Sequence, residues 1–133
     1  MRTCDISITT VADGNKTSFS TKGEMSLSAY KAQLAYREAQ AFVQVSLDGE
    51  SAMIIREGDY TLRIPLKRGE MTCGTLGIGG NEGEIKAFAY KVEYSIREDA
   101  LLAILHYDLL FGENKQKMKL RIVARADKKG DDV

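Results

Sequence analysis

The sequence holds one histidine, His106, one proline, Pro65, and two cysteines, Cys4 and Cys73. Two cysteines are too few for a disulfide framework, and with a single histidine they are too few for a zinc site. Both thiols are expected to be reduced and mostly buried, because nothing near either one reads as a base that would activate it. The chain also lacks a metal set, a cofactor motif and a nucleophile with a base at triad-like spacing, so no catalytic residue, metal or cofactor is assigned. The glycine-rich run Gly77 to Gly83 is no phosphate loop: no Gly-Lys-Ser/Thr follows it, and the next element reads as a strand. An excess of one charge is missing too, since 19 Lys and Arg balance 19 Asp and Glu. Attraction to nucleic acid or membrane would therefore have to rest on a local patch. No apolar run is long enough to span a bilayer, and Met1 to Ile6 lacks the apolar core of a signal peptide. A cytoplasmic location with no membrane contact is expected.

What is present is alternation. A chain of 133 residues is one domain by length and can bury a real core. Glu84 to Arg125 reads as three long strands. In the first, Phe88, Tyr90, Val92, Tyr94 and Ile96 fall on one side, with Ala87, Ala89, Lys91 and Glu93 on the other. The second places Leu101, Ala103, Leu105, Tyr107, Leu109 and Phe111 on one face, and the third alternates Met118, Leu120, Ile122 and Ala124 with lysines and arginines. That period of two marks half-buried strands, and Arg97-Glu98-Asp99 and Gly112-Glu113-Asn114 are the turns between them.

The rest of the chain continues the pattern. Arg2 to Val11 alternates, with Cys4, Ile6, Ile8 and Thr10 facing one way. A turn is expected at residues 12–16, with Gly14 and Asn15 taking positive φ. Thr17 to Leu27 reads as one strand or two, broken near Lys22-Gly23. Ser28 to Ala41 is rich in helix formers, and propensity alone favours a helix. The neighbouring strands, and the resemblance given below, favour a strand with Tyr30, Ala32, Leu34 and Tyr36 inward. Asp48-Gly49-Glu50, Gly58-Asp59 and residues 67–70 are further turns, and Pro65, lacking an amide proton, belongs on an edge or at a bulge. Short turns with little room for helices predict an all-β fold: a single closed up-and-down antiparallel barrel of about eight to ten strands over residues 1–125. Residues 126–133 read as a frayed charged tail.

Tyr36-Arg37-Glu38, Ile54-Ile55-Arg56-Glu57-Gly58 and Leu105-His106-Tyr107-Asp108-Leu109, in that order and spacing, resemble the motifs of the YwiB-like family. The resemblance runs from about Cys4 to Arg125. It implies a bacterial protein of a family without assigned function and a calycin-type, lipocalin-like barrel. It supplies no substrate, partner or catalytic residue. The chain departs from the pattern at residues 72–77, where an aromatic residue and a Thr-Pro element would be expected before the glycine.

Two function classes follow. All six tyrosines, Tyr30, Tyr36, Tyr60, Tyr90, Tyr94 and Tyr107, fall on faces read as inward, and buried hydroxyls need partners. The first class is a binding module: a small apolar or amphipathic ligand held inside the barrel or at its mouth by Tyr36, Tyr60, Tyr90, Tyr94 and Tyr107, with Arg56 steadied by Glu38. The competing reading gives these tyrosines to the barrel mouths or to backbone partners. The second class is a solid-cored interaction module acting as a homodimer through Leu102, Ile104 and Leu110, which lie outward if Tyr107 lies inward. His106 shares that outward face, with Asp108 placed to orient it. The basic stripe Lys115, Lys117, Lys119 and Arg121 reads as a solvated face. Nucleic acid is disfavoured as a partner because the stripe carries no aromatic side chains on its own face to stack bases.

Overall fold

The structure, a computed structural model, describes residues 1–127. It contains ten strands: β1 (Arg2–Ala12), β2 (Asn15–Leu27), β3 (Lys31–Glu38), β4 (Ala41–Asp48), β5 (Ser51–Glu57), β6 (Tyr60–Lys67), β7 (Met71–Ile78), β8 (Asn81–Arg97), β9 (Ala100–Phe111) and β10 (Asn114–Ala126). Each strand pairs antiparallel with the next, and β10 returns to β1 to close the barrel. The closing seam runs from Cys4 opposite Ala126 to Ala12 opposite Met118. Closure leaves no edge strand, since every strand has a neighbour on both sides. No helix forms among the described residues, so none is long and apolar enough to cross a membrane.

Alternation decides which side chains face in. Cys4, Ile6 and Ile8 of β1, Leu34 and Tyr36 of β3, Val43, Val45 and Leu47 of β4, and Leu101, Leu105 and Tyr107 of β9 are all buried. Residues 28–41 resolve in favour of strand. Helix propensity there yields to pairing on both sides, with Leu34 opposite Met25 on β2 and Val45 on β4. Tyr30 falls in the turn before β3 and is 79% exposed, so its inward assignment is corrected. The first hairpin turns on Asp13 and Gly14, both at positive φ, while Asn15 already belongs to β2. Ala126, read as the start of the tail, ends β10, and the Asp127 amide donates to the Thr3 carbonyl at 3.0 Å. The remainder of that predicted tail lies outside the described residues.

The main departure is in β8. Its register against β9 slips between Ala89 and Lys91, leaving Tyr90 as the extra residue of a β-bulge. A bulge reverses the parity of everything beyond it. Val92, Tyr94 and Ile96 face inward as expected, but on the near side Ile85, Ala87 and Ala89 take the inward positions. Phe88 and Tyr90 are thereby turned to the outer face, where Tyr90 is 55% exposed. The bulge sits where the β6–β7 turn meets β8: Arg68 bridges to Ala89, and the Gly69 amide donates to the Ala89 carbonyl at 2.8 Å.

The same region explains Pro65. β6 and β7 pair only over Tyr60–Arg63 and Thr75–Ile78. Past that point the strands part, Pro65 has no amide to offer, and the Thr72 hydroxyl bonds to the Pro65 carbonyl.

β2 is one unbroken strand because Gly23 is the residue it needs there. A Cβ at Gly23 would sit 2.4 Å from the Ala35 carbonyl oxygen and 2.6 Å from Ile6 Cδ1. Backbone on one side and a fully buried side chain on the other leave it nowhere to go. Gly23→Ala is expected to lower stability by about 2 kcal/mol or more, measured as a reduced urea midpoint with the circular dichroism spectrum retained. Gly83→Ala, with open space around its Cβ, is the control and should leave the midpoint nearly unchanged.

Candidate functional site

The interior is occupied by side chains. Ile6, Met25, Leu34, Leu47, Ile64 and Leu105 are among the fully buried residues that meet there. Concavities lie on the outer wall and at one end of the barrel, around Gly58 to Thr61 and Gly79 to Glu82. Of the tyrosines assigned to a lumen site, Tyr36 and Tyr107 are inward and buried. Neither hydroxyl has a hydrogen-bond partner among the described residues. Burial pushes both hydroxyls to ionise well above the ordinary tyrosine range, with Glu38 and Tyr107 adding to the effect at Tyr36.

The other lumen candidates are dispersed. Arg56 is inward at the barrel end that carries the β5–β6 turn, with its guanidinium 4.0 Å from the centroid of the Tyr60 ring. Its Nη1 lies 3.2 Å from Asp59 Oδ1. Asp59 is in the adjacent turn and holds the guanidinium locally, whereas Glu38 is exposed and makes no ion pair with Arg56. Tyr94 points in at the opposite end. Its hydroxyl donates to the Tyr30 carbonyl at 2.5 Å and accepts from the Gly49 amide at 2.6 Å, tying two turns together. Tyr90 is outside altogether, a consequence of the bulge.

The outer face of β8–β9–β10 is where functional side chains gather. Pairing aligns them in cross-strand rows. Lys91, His106 and Lys119 form one row, Glu93, Ile104 and Arg121 the next, and Ser95, Leu102 and Val123 the one after. Leu110 stands apart on the far side of His106, between Lys86 and Lys115. The three residues expected to form one apolar patch therefore split into a stripe of Leu102 and Ile104, extended by Val123, and an isolated Leu110.

A groove of about 310 Å³ crosses this face, lined by Tyr90, His106, Asp108, Lys117 and Lys119 among others. Asp108 is outward but only 3% exposed, the one charged residue so covered among the described residues. The Tyr90 hydroxyl donates to Asp108 Oδ2 at 2.5 Å, and Lys115 Nζ lies 3.4 Å from the same oxygen. These two partners engage Asp108, which is not hydrogen-bonded to His106. The bond to Asp108 raises the Tyr90 pKa, assisted by desolvation and by the carboxylate's charge. The His106 pKa is lowered by desolvation and by Lys91 and Lys119 on either side, against a weaker opposing effect of Glu93. Phe88 packs edge-on to Tyr90 at 5.0 Å between centroids. The aromatic side chains that the basic stripe lacked on a strict alternation are thus present on its face. Sequence reasoning missed them because a bulge leaves no mark on the alternation itself. No group of three or more His, Cys, Asp or Glu that could hold a metal ion occurs among the described residues.

The fold defines a class first: a closed, ten-stranded, antiparallel up-and-down barrel with a covered interior. Within that class the chain belongs to the family described as "Domain of unknown function (DUF1934)", which it matches over residues 4–122. The crystal structure of ywiB protein from Bacillus subtilis has the same fold, with a TM-score of 0.79 at 17% sequence identity. The match covers 96% of this chain and 93% of that one. None of the curated proteins compared with the chain matches it.

The two thiols differ, contrary to the expectation that both are covered. Cys4 is fully buried and its pKa is pushed up to about 11, first by burial and then by Asp127, Asp5 and Glu24. Cys73 is exposed on β7. One thiol per chain should react rapidly with a disulfide reagent in native buffer, and two after denaturation. The rapid thiol should be absent from Cys73→Ser; its persistence there would contradict the assignment.

Proposed function

We propose that this protein is an interaction module whose working surface is the outer face of β8–β10, with a second copy of the chain as its partner. The observation that carries this reading is the stripe of Leu102, Ile104 and Val123. These three large aliphatic side chains adjoin on a solvent-facing wall, and no segment of the described chain lies over them. The row through Ile104 is self-complementary. A two-fold axis running along β9 sets Glu93 of one copy against the partner's Arg121. The same operation sets Lys91 against the partner's Lys119, so the contact carries a repulsive row beside the attractive one. Lys91, Lys117, Lys119 and Arg121 outnumber Glu93 on this part of the face, so two copies repel on balance, and salt screens that net repulsion. Association should therefore strengthen between low and moderate salt, as read by analytical ultracentrifugation. Leu102→Glu should give a monomer at every salt concentration, and a wild-type chain that stays monomeric at high concentration removes the proposal.

A ligand inside the barrel is a second reading, supported by the hydroxyls of Tyr36 and Tyr107. Both are buried without a partner among the described residues, and a buried hydroxyl left alone costs about 1–3 kcal/mol. A small polar guest or ordered water between them would recover that cost. Native mass spectrometry of gently purified protein should then show a retained mass that is lost on denaturation and weakened in Tyr107→Phe. A clean mass, with Tyr107→Phe more stable than wild type by about 1 kcal/mol, would count against a guest.

A further inference from the structure

We infer that the groove on the outer face binds single-stranded nucleic acid, with an unstacked base against the Tyr90 ring and backbone phosphates along the basic edge of β10. Two independent features of the face combine. One is a ring platform. Tyr90 is 55% exposed, Phe88 braces it edge-on, and its hydroxyl is fixed by Asp108 at 2.5 Å. A ring held on two sides can receive a base without first being ordered, which lowers the entropic cost of stacking. His106 lines the same groove and offers a second planar surface, kept toward its neutral form by burial and by its lysine neighbours.

The other feature is charge. Lys117, Lys119 and Arg121 occupy β10 outward positions, and Lys91 lies across from Lys119 with His106 between them. None of these four makes an ion pair among the described residues. Lys115, by contrast, is engaged by Asp108. Alternate residues on a strand are about 6.6–6.8 Å apart, a spacing that an extended single strand can follow from one phosphate to the next. Three unpaired cations in line favour a polymer over a lone nucleotide, which would use one or two. Among the described residues this face carries no helix to enter a duplex groove, while an exposed ring selects bases that are not already stacked. The zero net charge of the chain is consistent with this, because the field that matters is local to the face.

The binding face shares Lys91, His106, Lys119 and Arg121 with the proposed dimer contact, so a strand and a second copy compete for it, and salt separates the two. Association of copies should strengthen with added salt, whereas nucleic-acid binding should weaken. The test is fluorescence anisotropy with a labelled ten-nucleotide RNA of mixed sequence, its DNA counterpart, the matching duplex, and adenosine monophosphate as competitor. The single strands should bind more tightly than the duplex. With about three phosphates neutralised, log affinity should fall against log salt with a slope of about −2. Tyr90→Ala should weaken binding about fivefold or more, the effect of losing one stacked base, while Tyr90→Phe, which keeps the ring, should retain most of the affinity. Lys119→Glu changes an exposed side chain, so the barrel should stay folded, and it should weaken binding and flatten the salt slope. Single strands that fail to bind, bind no better than duplex, or bind equally to wild type, Tyr90→Ala and Lys119→Glu would overturn the inference. So would a site that takes the mononucleotide and refuses the strand.

Discussion

Closure of the sheet along β1 and β10 is the constraint on which the rest of this molecule depends. Once Cys4 pairs with Ala126 and Ala12 with Met118, every strand has two neighbours and every residue has one of two fates. It points into a closed interior or out into solvent. A side chain cannot compromise by turning along an edge, because closure leaves none outside the short stretch where β6 and β7 part. This is why small deviations in backbone have large effects here. One extra residue in one strand moves side chains from one environment to the other.

The bulge at Tyr90 is that deviation, and its cause lies across the barrel wall. β6 does not keep its ladder with β7 past Arg63, where Pro65 brings no amide. The β6–β7 turn instead reaches β8, where Gly69 bonds to the carbonyl of Ala89. The register of β8 against β9 slips at that residue. The slip keeps Ile85, Ala87 and Ala89 in the core on one side and Val92, Tyr94 and Ile96 on the other. Phe88 and Tyr90, which are larger, are moved outside. A local problem of hydrogen-bond supply in β6 and β7 is thus linked through one turn to the chemistry of the outer wall.

The tyrosines show how the same residue type serves different ends under this constraint. Tyr94 spends its hydroxyl on two backbone partners and holds turns together. Tyr90 spends its hydroxyl on a covered carboxylate and keeps its ring exposed. Tyr36 and Tyr107 have rings that pack well in the core and hydroxyls without protein partners among the described residues. Arg56 and Tyr60, expected beside them in a mouth site, form a local cluster with Asp59 instead. Neighbours three residues away in a turn meet at lower entropic cost than partners on separate strands.

By itself the sequence determined the all-β class, the positions of most strands and turns, the inward set of β1, β4 and β9, and the outward placement of Leu102, Ile104 and His106. These follow from a period of two, and a sheet with one wet face enforces that period whatever its neighbours do. Ser28 to Ala41 was legible only in part, since its propensity and its partners disagree, and pairing outweighs propensity in a strand hydrogen-bonded on both sides. Tertiary structure alone decided the rest: ten strands rather than eight, the split of Leu110 from Leu102 and Ile104, the pairing of Arg56 with Asp59, and the meeting of Tyr90 with the lysines of β10. Each of these depends on which residue of one strand lies opposite which residue of another. Cross-strand register, and above all a bulge within it, is set by contacts between segments far apart in the chain, and alternation within a single segment is the same on either side of such a slip.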